Sequence, residues 1–191
     1  MTRTTQAIFA AALLLVSVGC ALILGSPSDP QRPKALSAKG ISVPDAQLAS
    51  FAVLRTRPKP PPVELAQKME RVVEGRGFEL KVALAQPVST TVGEEAWVVP
   101  GRHYICIMAS KPLVVGCNTT AETTKHGMSV VAGQPAPSGR GARRYTLFGI
   151  APNGVKHAAV KPKGGHAVIV PVYDNVFAYR ASVKLNAKVL K

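Results

Sequence analysis

The hydrophobic pattern changes period twice along the chain. From Ala7 to Leu24 it has no period: AIFAAALLLVSVGCALIL is 18 residues without a charge. As a helix rising about 1.5 Å per residue it spans roughly 27 Å, close to the roughly 30 Å hydrocarbon core of a bilayer. In VELAQKMERVVEGRG, Val63 to Gly77, the apolar positions Leu65, Met69, Val72 and Val73 recur at three- and four-residue intervals, which predicts an amphipathic helix. Pro62 suits its first turn, Glu64 suits its positive N-terminal end, and Gly75 and Gly77 stop it. Beyond Phe78 the pattern predicts strands in FELKVALA, AWVVP, YICIMA and PLVVGC. A helical turn is expected within Asn118 to Lys125, and Ser129 to Arg144 reads as an exposed loop rich in Gly, Pro and Arg.

The last fifty or so residues carry the plainest alternation. Arg144 to Ala151 and Val155 to Val160 flank Pro152-Asn153-Gly154, and Asn-Gly is a strong hairpin signal because both residues tolerate positive φ. Lys161 to Gly165 makes a second turn, Ala167 to Val172 a third strand, and Tyr173-Asp174-Asn175 a third turn. Val176 to Leu185 then closes an antiparallel meander, with Val168, Val170 and Val172 on one side and Ala167 and Ile169 on the other. Asp174 and Asn175 read as turn residues that bond neighbouring backbone N–H groups.

Residues 25–61 read as a tether, since repeated prolines remove the donors a ladder needs. Within it, Ser42 to Leu54 is more apolar, and Ser42 to Asp45 is expected to start a short helix that carries Leu48, Phe51, Val53 and Leu54 onto the body of the domain. RTRPKPPP, Arg55 to Pro62, reads as a stiff polyproline II spacer, although Pro58 and Pro61 also have the spacing of a PxxP ligand. The expected layout is a short N-terminus at 1–6, an anchor or signal segment at 7–24, the tether at 25–61 and one domain at 62–191. The fold class is α+β: a predominantly antiparallel sheet with one packed amphipathic helix, preceded by a transmembrane helix.

Three fates are open to the apolar run: an uncleaved anchor, a cleaved signal, or a lipoprotein signal ending at Cys20. Its length exceeds the usual signal core of about 7–15 residues, which favours the anchor. Orientation is contested. The flanking charges, Arg3 against Arg32, Lys34 and Lys39, lean weakly toward a cytoplasmic domain. Cys106 and Cys117 lean the other way. They bracket Lys111-Pro112, a turn that would bring them together as a hairpin disulfide in an oxidising compartment; two free buried thiols are the alternative. The domain is therefore expected outside the cytoplasm, on a single-pass membrane protein.

The formal charge is +14, and from Arg140 to Lys191 ten basic residues face one acid, Asp174. Such a field attracts anionic lipid, an acidic wall polymer or an acidic protein. Arg140, Arg143, Arg144, Lys156, Lys161 and Lys163 are the candidate contacts, with Lys184 and Lys188 on turns, edges or solvent-facing positions. A basic surface without a partner is the plainer alternative. Nucleic acid is disfavoured because aromatic platforms are sparse and no groove-reading motif is present.

No catalytic pattern stands out. Gly127-Met128-Ser129 starts a nucleophile elbow, but Val131 occupies the position of its last glycine. His103, His126, His157 and His166 lack metal-ligand spacing, Glu94 and Glu95 would point to opposite faces of a strand, and no cofactor loop exists. LFGIAPNGVKHAAVKPKGGHAVIVPVYDNVFAYRA, with WVVPG and the Cys106/Cys117 pair before it, resembles a group of actinobacterial membrane-anchored or secreted proteins. Pro152, Asn153 and Gly154 stand at the group's turn, and Asp174 and Asn175 open its closing element. The resemblance implies an envelope protein of anchor-plus-domain layout and carries no activity with it. The expected function is a non-enzymatic envelope interaction module. A hydrolase whose residues are remote in sequence and a cytoplasm-facing binder of nucleic acid or anionic lipid are the alternatives.

Overall fold

The computed structural model describes residues 41–134 and 143–190, and the apolar run Ala7 to Leu24 lies outside them. Among the described residues ten strands form three antiparallel sheets stacked in layers, with three short helices. The first sheet is a meander of β1 (Gln86–Ser89), β2 (Glu95–Pro100), β3 (Tyr104–Ser110) and β4 (Leu113–Thr119). Successive side chains of a strand point to opposite faces. Trp97, Val99, Cys106 and Met108 therefore meet Met69 and Val73 of helix α2 (Val63–Val73) on one face. Ala96, Val98, Ile105, Ile107 and Ala109 face the second sheet. Burial on both faces explains why EAWVVP and YICIMAS are almost continuously apolar.

The second sheet has the order β5-β6-β9, from β5 (Met128–Gln134), β6 (Arg144–Ile150) and β9 (Val176–Ala181). It too is covered twice. Phe148, Ile150, Val176 and Ala178 pack toward the first sheet, while Leu147 and Phe177 pack toward the third. Two glycines set these approaches. A Cβ on Gly116 of β4 would lie 2.6 Å from the Cβ of Val130, so glycine there lets β5 come close. Gly149 lies opposite Phe177 in the ladder, and the Phe177 ring covers it at a distance no side chain permits.

The third sheet, β10-β7-β8, is built from β7 (His157–Pro162), β8 (Val168–Pro171) and β10 (Leu185–Leu190). Ala158, Val160, Val170 and Leu185 close the core beneath it. This is not the sequential meander expected. The β7–β8 hairpin is inserted between β6 and β9, which pair with each other across it. Asn153-Gly154 turns the chain from one sheet into the next rather than into a hairpin, with Gly154 at φ 84°. The inserted strands are apolar mainly on their inner faces, so they cover the second sheet instead of extending it.

Other expectations are also revised. The folded body begins well before residue 62. The short helix expected there is α1 (Asp45–Ser50), and with the 3-10 turn Ala52–Arg55 it puts Phe51, Val53 and Leu54 into the core between the first two sheets, as expected. The proline run is part of that body: Lys59 N donates to Ala85 O at 3.1 Å, Gln86 Nε2 donates to Thr56 O at 2.7 Å, and Pro61 is buried. FELKVALA is no strand but a single bridge at Leu80 and a 3-10 turn over Val82–Leu84, because Glu79 takes a left-handed φ of 44°. Val72 lies beside the buried stripe of α2 rather than in it, 38% exposed. Ser129 and its neighbours form β5, not loop. The polar stretch holds helix α3 (Thr120–His126), whose first turn is capped by the Thr119 hydroxyl accepting from Glu122 N at 3.2 Å.

Candidate functional site

Strand direction decides where the cations go. β6 starts at Arg144 and its ladder sets Tyr145 opposite Ala181, the last residue of β9. Only residues 182–184 separate β9 from β10, so Lys184 lies at the same end of the molecule. β10 starts opposite the end of β7, with Leu185 facing Pro162, and Lys163 N donates to Lys184 O at 2.8 Å. Arg143, Arg144, Lys161, Lys163 and Lys184 thus gather at one pole, all exposed. Among the described residues the ion pairs are Arg102–Glu79, His126–Glu122 and Arg180–Glu94, and none engages the five. No carboxylate occurs between Glu122 and Lys191 except Asp174, which lies on the turn at the opposite end of β9.

Lys156 does not join this group. It precedes β7, where its carbonyl accepts from Val172 N at 2.8 Å, and the length of β7 separates it from Lys163 by roughly 23 Å. Arg140 lies outside the described residues.

Exposed apolar side chains accompany the cations. Ile169 is 54% exposed on the outer face of the third sheet, opposite Ala159 and diagonal to Lys161. Val168, the first residue of β8, is 36% exposed, and Val183, beside Lys184, is 40% exposed. The alternation separates Ile169 from Val170 as expected, but Val168 remains open because the hairpin ends there. Val183 lies in Ser182-Val183-Lys184, a polar connection too short to bury it, and that shortness is the signal the sequence carries for its exposure.

The other predicted residues are structural. Cys106 and Cys117 are directly opposed in the β3–β4 ladder and joined by a disulfide, with Cα atoms 4.1 Å apart. The bond lies in the core under α2, beside Met69 and Trp97. Asp174 and Asn175 hold left-handed backbone, φ 47° and 65°. Asn175 Nδ2 donates to Ala151 O and Asn153 Oδ1, both at 3.0 Å, and its Oδ1 accepts from Val53 N at 3.0 Å. Asn153 Oδ1 accepts from Ala52 N, its Nδ2 donates to Ala49 O and its backbone N donates to Ser50 O, each at 2.8 Å. Buried Pro152 and exposed Gly154 flank this knot, which clamps both crossings of the inserted hairpin to the α1 corner.

Two adjoining grooves of about 560 and 520 Å³ run between α1, α3 and residues 152–155, sharing Ala49, Ser50 and Thr124. Their ionisable lining consists of Arg102 and His103, so they hold no carboxylate to couple with a nucleophile. A smaller cleft beside β1 and β2 includes Glu94 and Glu95, and Glu94 is engaged by Arg180. No group of three His, Cys, Asp or Glu residues with metal-binding placement occurs among the described residues. Within the same residues no helix is long and apolar enough to cross a membrane. No protein family, curated protein or solved structure matches this chain.

Proposed function

We propose that this is a non-enzymatic, membrane-anchored envelope module that holds an anionic surface at its basic pole. The observation that carries the reading is the convergence of Arg143, Arg144, Lys161, Lys163 and Lys184 from three separate chain segments with no ion pair to any of the five among the described residues, the neighbouring Glu94 being held by Arg180. Uncompensated like charges repel one another, and an anionic partner relieves that repulsion. The apolar run Ala7 to Leu24 supplies the anchor in this reading, and the Cys106–Cys117 disulfide supports a domain outside the cytoplasm. The envelope layout implied by the sequence resemblance agrees with it.

The test is binding of the full chain to an immobilised polyanion such as polyphosphate across a salt series. Affinity is expected to fall steeply as salt rises, because the Debye length shrinks to about 8 Å at physiological ionic strength. Replacing Arg140, Arg143 and Arg144 with glutamine should weaken binding and leave the unfolding midpoint unchanged. Binding indifferent both to salt and to these substitutions would overturn the reading.

A further inference from the structure

We infer that the partner of the basic pole is a lipid bilayer bearing anionic headgroups, with Val168, Ile169 and Val183 entering its interface. This rests on the reading of the pole as an anionic-surface site and names the surface.

A soluble polyanion would reward the cations alone. It would leave three apolar side chains standing in water at the same end of the molecule. A bilayer interface rewards both. Lysine and arginine carry their charge on long apolar stems, so they reach the headgroup layer while shorter apolar neighbours enter the boundary below it. The arrangement has that form. Ile169 is on the same sheet face as Lys161 and diagonal to it, Val168 borders the turn that holds Lys163, and Val183 adjoins Lys184. A second copy of the chain is the wrong cover for this surface, because it would bring five more cations against five. Charge complementarity thus selects the bilayer.

The experiment uses the full chain in lipid nanodiscs, with Ile169→Trp as a depth reporter. Trp97 is buried in the first core and supplies the background measured on the unsubstituted chain. Brominated lipids should quench the introduced indole in discs containing phosphatidylglycerol and not in discs of phosphatidylcholine alone. The triple change Lys161→Gln, Lys163→Gln and Lys184→Gln should abolish that difference, since each charge near an anionic membrane changes association about five-fold. Should that variant unfold, the pair Arg143→Gln and Arg144→Gln makes the same test. Equal quenching in both discs, or none in either, overturns the inference. Polyphosphate binding then separates the two ideas: if it persists and is salt-sensitive, the pole is a polymer site and the broader reading stands. If it is absent, both fall.

Discussion

Asparagine meets two demands at position 175 that few side chains meet together. The backbone there is left-handed, a conformation asparagine adopts more readily than other non-glycine residues, and the side chain must both donate and accept. Asn175→Ala would strain the backbone and leave Val53 N and Ala151 O without this side chain as partner. A loss of about 2–4 kcal/mol in urea unfolding is expected. Asn175→Gly relieves the strain but not the lost bonds, so it should recover only part of that loss. Both turn sites were legible in the sequence, because Asn-Gly and Asp-Asn are turn chemistry. That the two turns meet each other was not, since Asn153 and Asn175 are brought together by the inserted hairpin and not by any local pattern. The same limit hid Gln47, a fully buried polar residue whose Nε2 lies within 2.9 Å of Gly101 O, Tyr104 O and Thr120 Oγ1.

Among the elements, the β3–β4 hairpin was the most legible: two cysteines, a proline turn and two apolar runs pointed to a hairpin, and the ladder sets Cys106 opposite Cys117. Cys106→Ala with Cys117→Ala should cost about 3 kcal/mol in the chain-entropy account of a short closed loop, read from denaturant midpoints. Thiol labelling of the native chain without reductant should spare the pair. Strand β5 was harder to place. β5 lies in SVVAGQPAPSGRG, where the following Gly and Pro residues swamp a short apolar run. The sheet order was harder still, because pairing β6 with β9 depends on Gly149 accepting the Phe177 ring. Gly149→Ala should therefore cost about 1–3 kcal/mol by overpacking, and Phe177→Leu in the same chain should restore part of it. A Gly149→Ala chain as stable as the parent would show that the ring moves aside freely.

Over the whole molecule, excess positive charge was plain from composition, but its placement was not. Lys156 and Lys163 are seven residues apart and fall at opposite ends of a strand, while Arg144 and Lys184 are forty apart and share a pole. Strand direction decides this, and direction follows from the nesting of β7–β8 between β6 and β9. Replacing Lys156 with glutamine should accordingly change polyanion binding far less than replacing Lys163, with both variants melting within about 0.5 kcal/mol of the parent.

The early start of the folded body has a consequence for reach. Only 20 residues, Gly25 to Pro44, separate the apolar run from α1, where a tether ending at Pro61 would have had 37. At full extension 20 residues reach at most about 70 Å. In a chain anchored through Ala7 to Leu24, confinement of that order gives the basic pole an effective concentration on the order of millimolar against its own bilayer. An intrinsic affinity for anionic lipid far too weak to recruit a free domain would then suffice to keep the pole on the membrane surface.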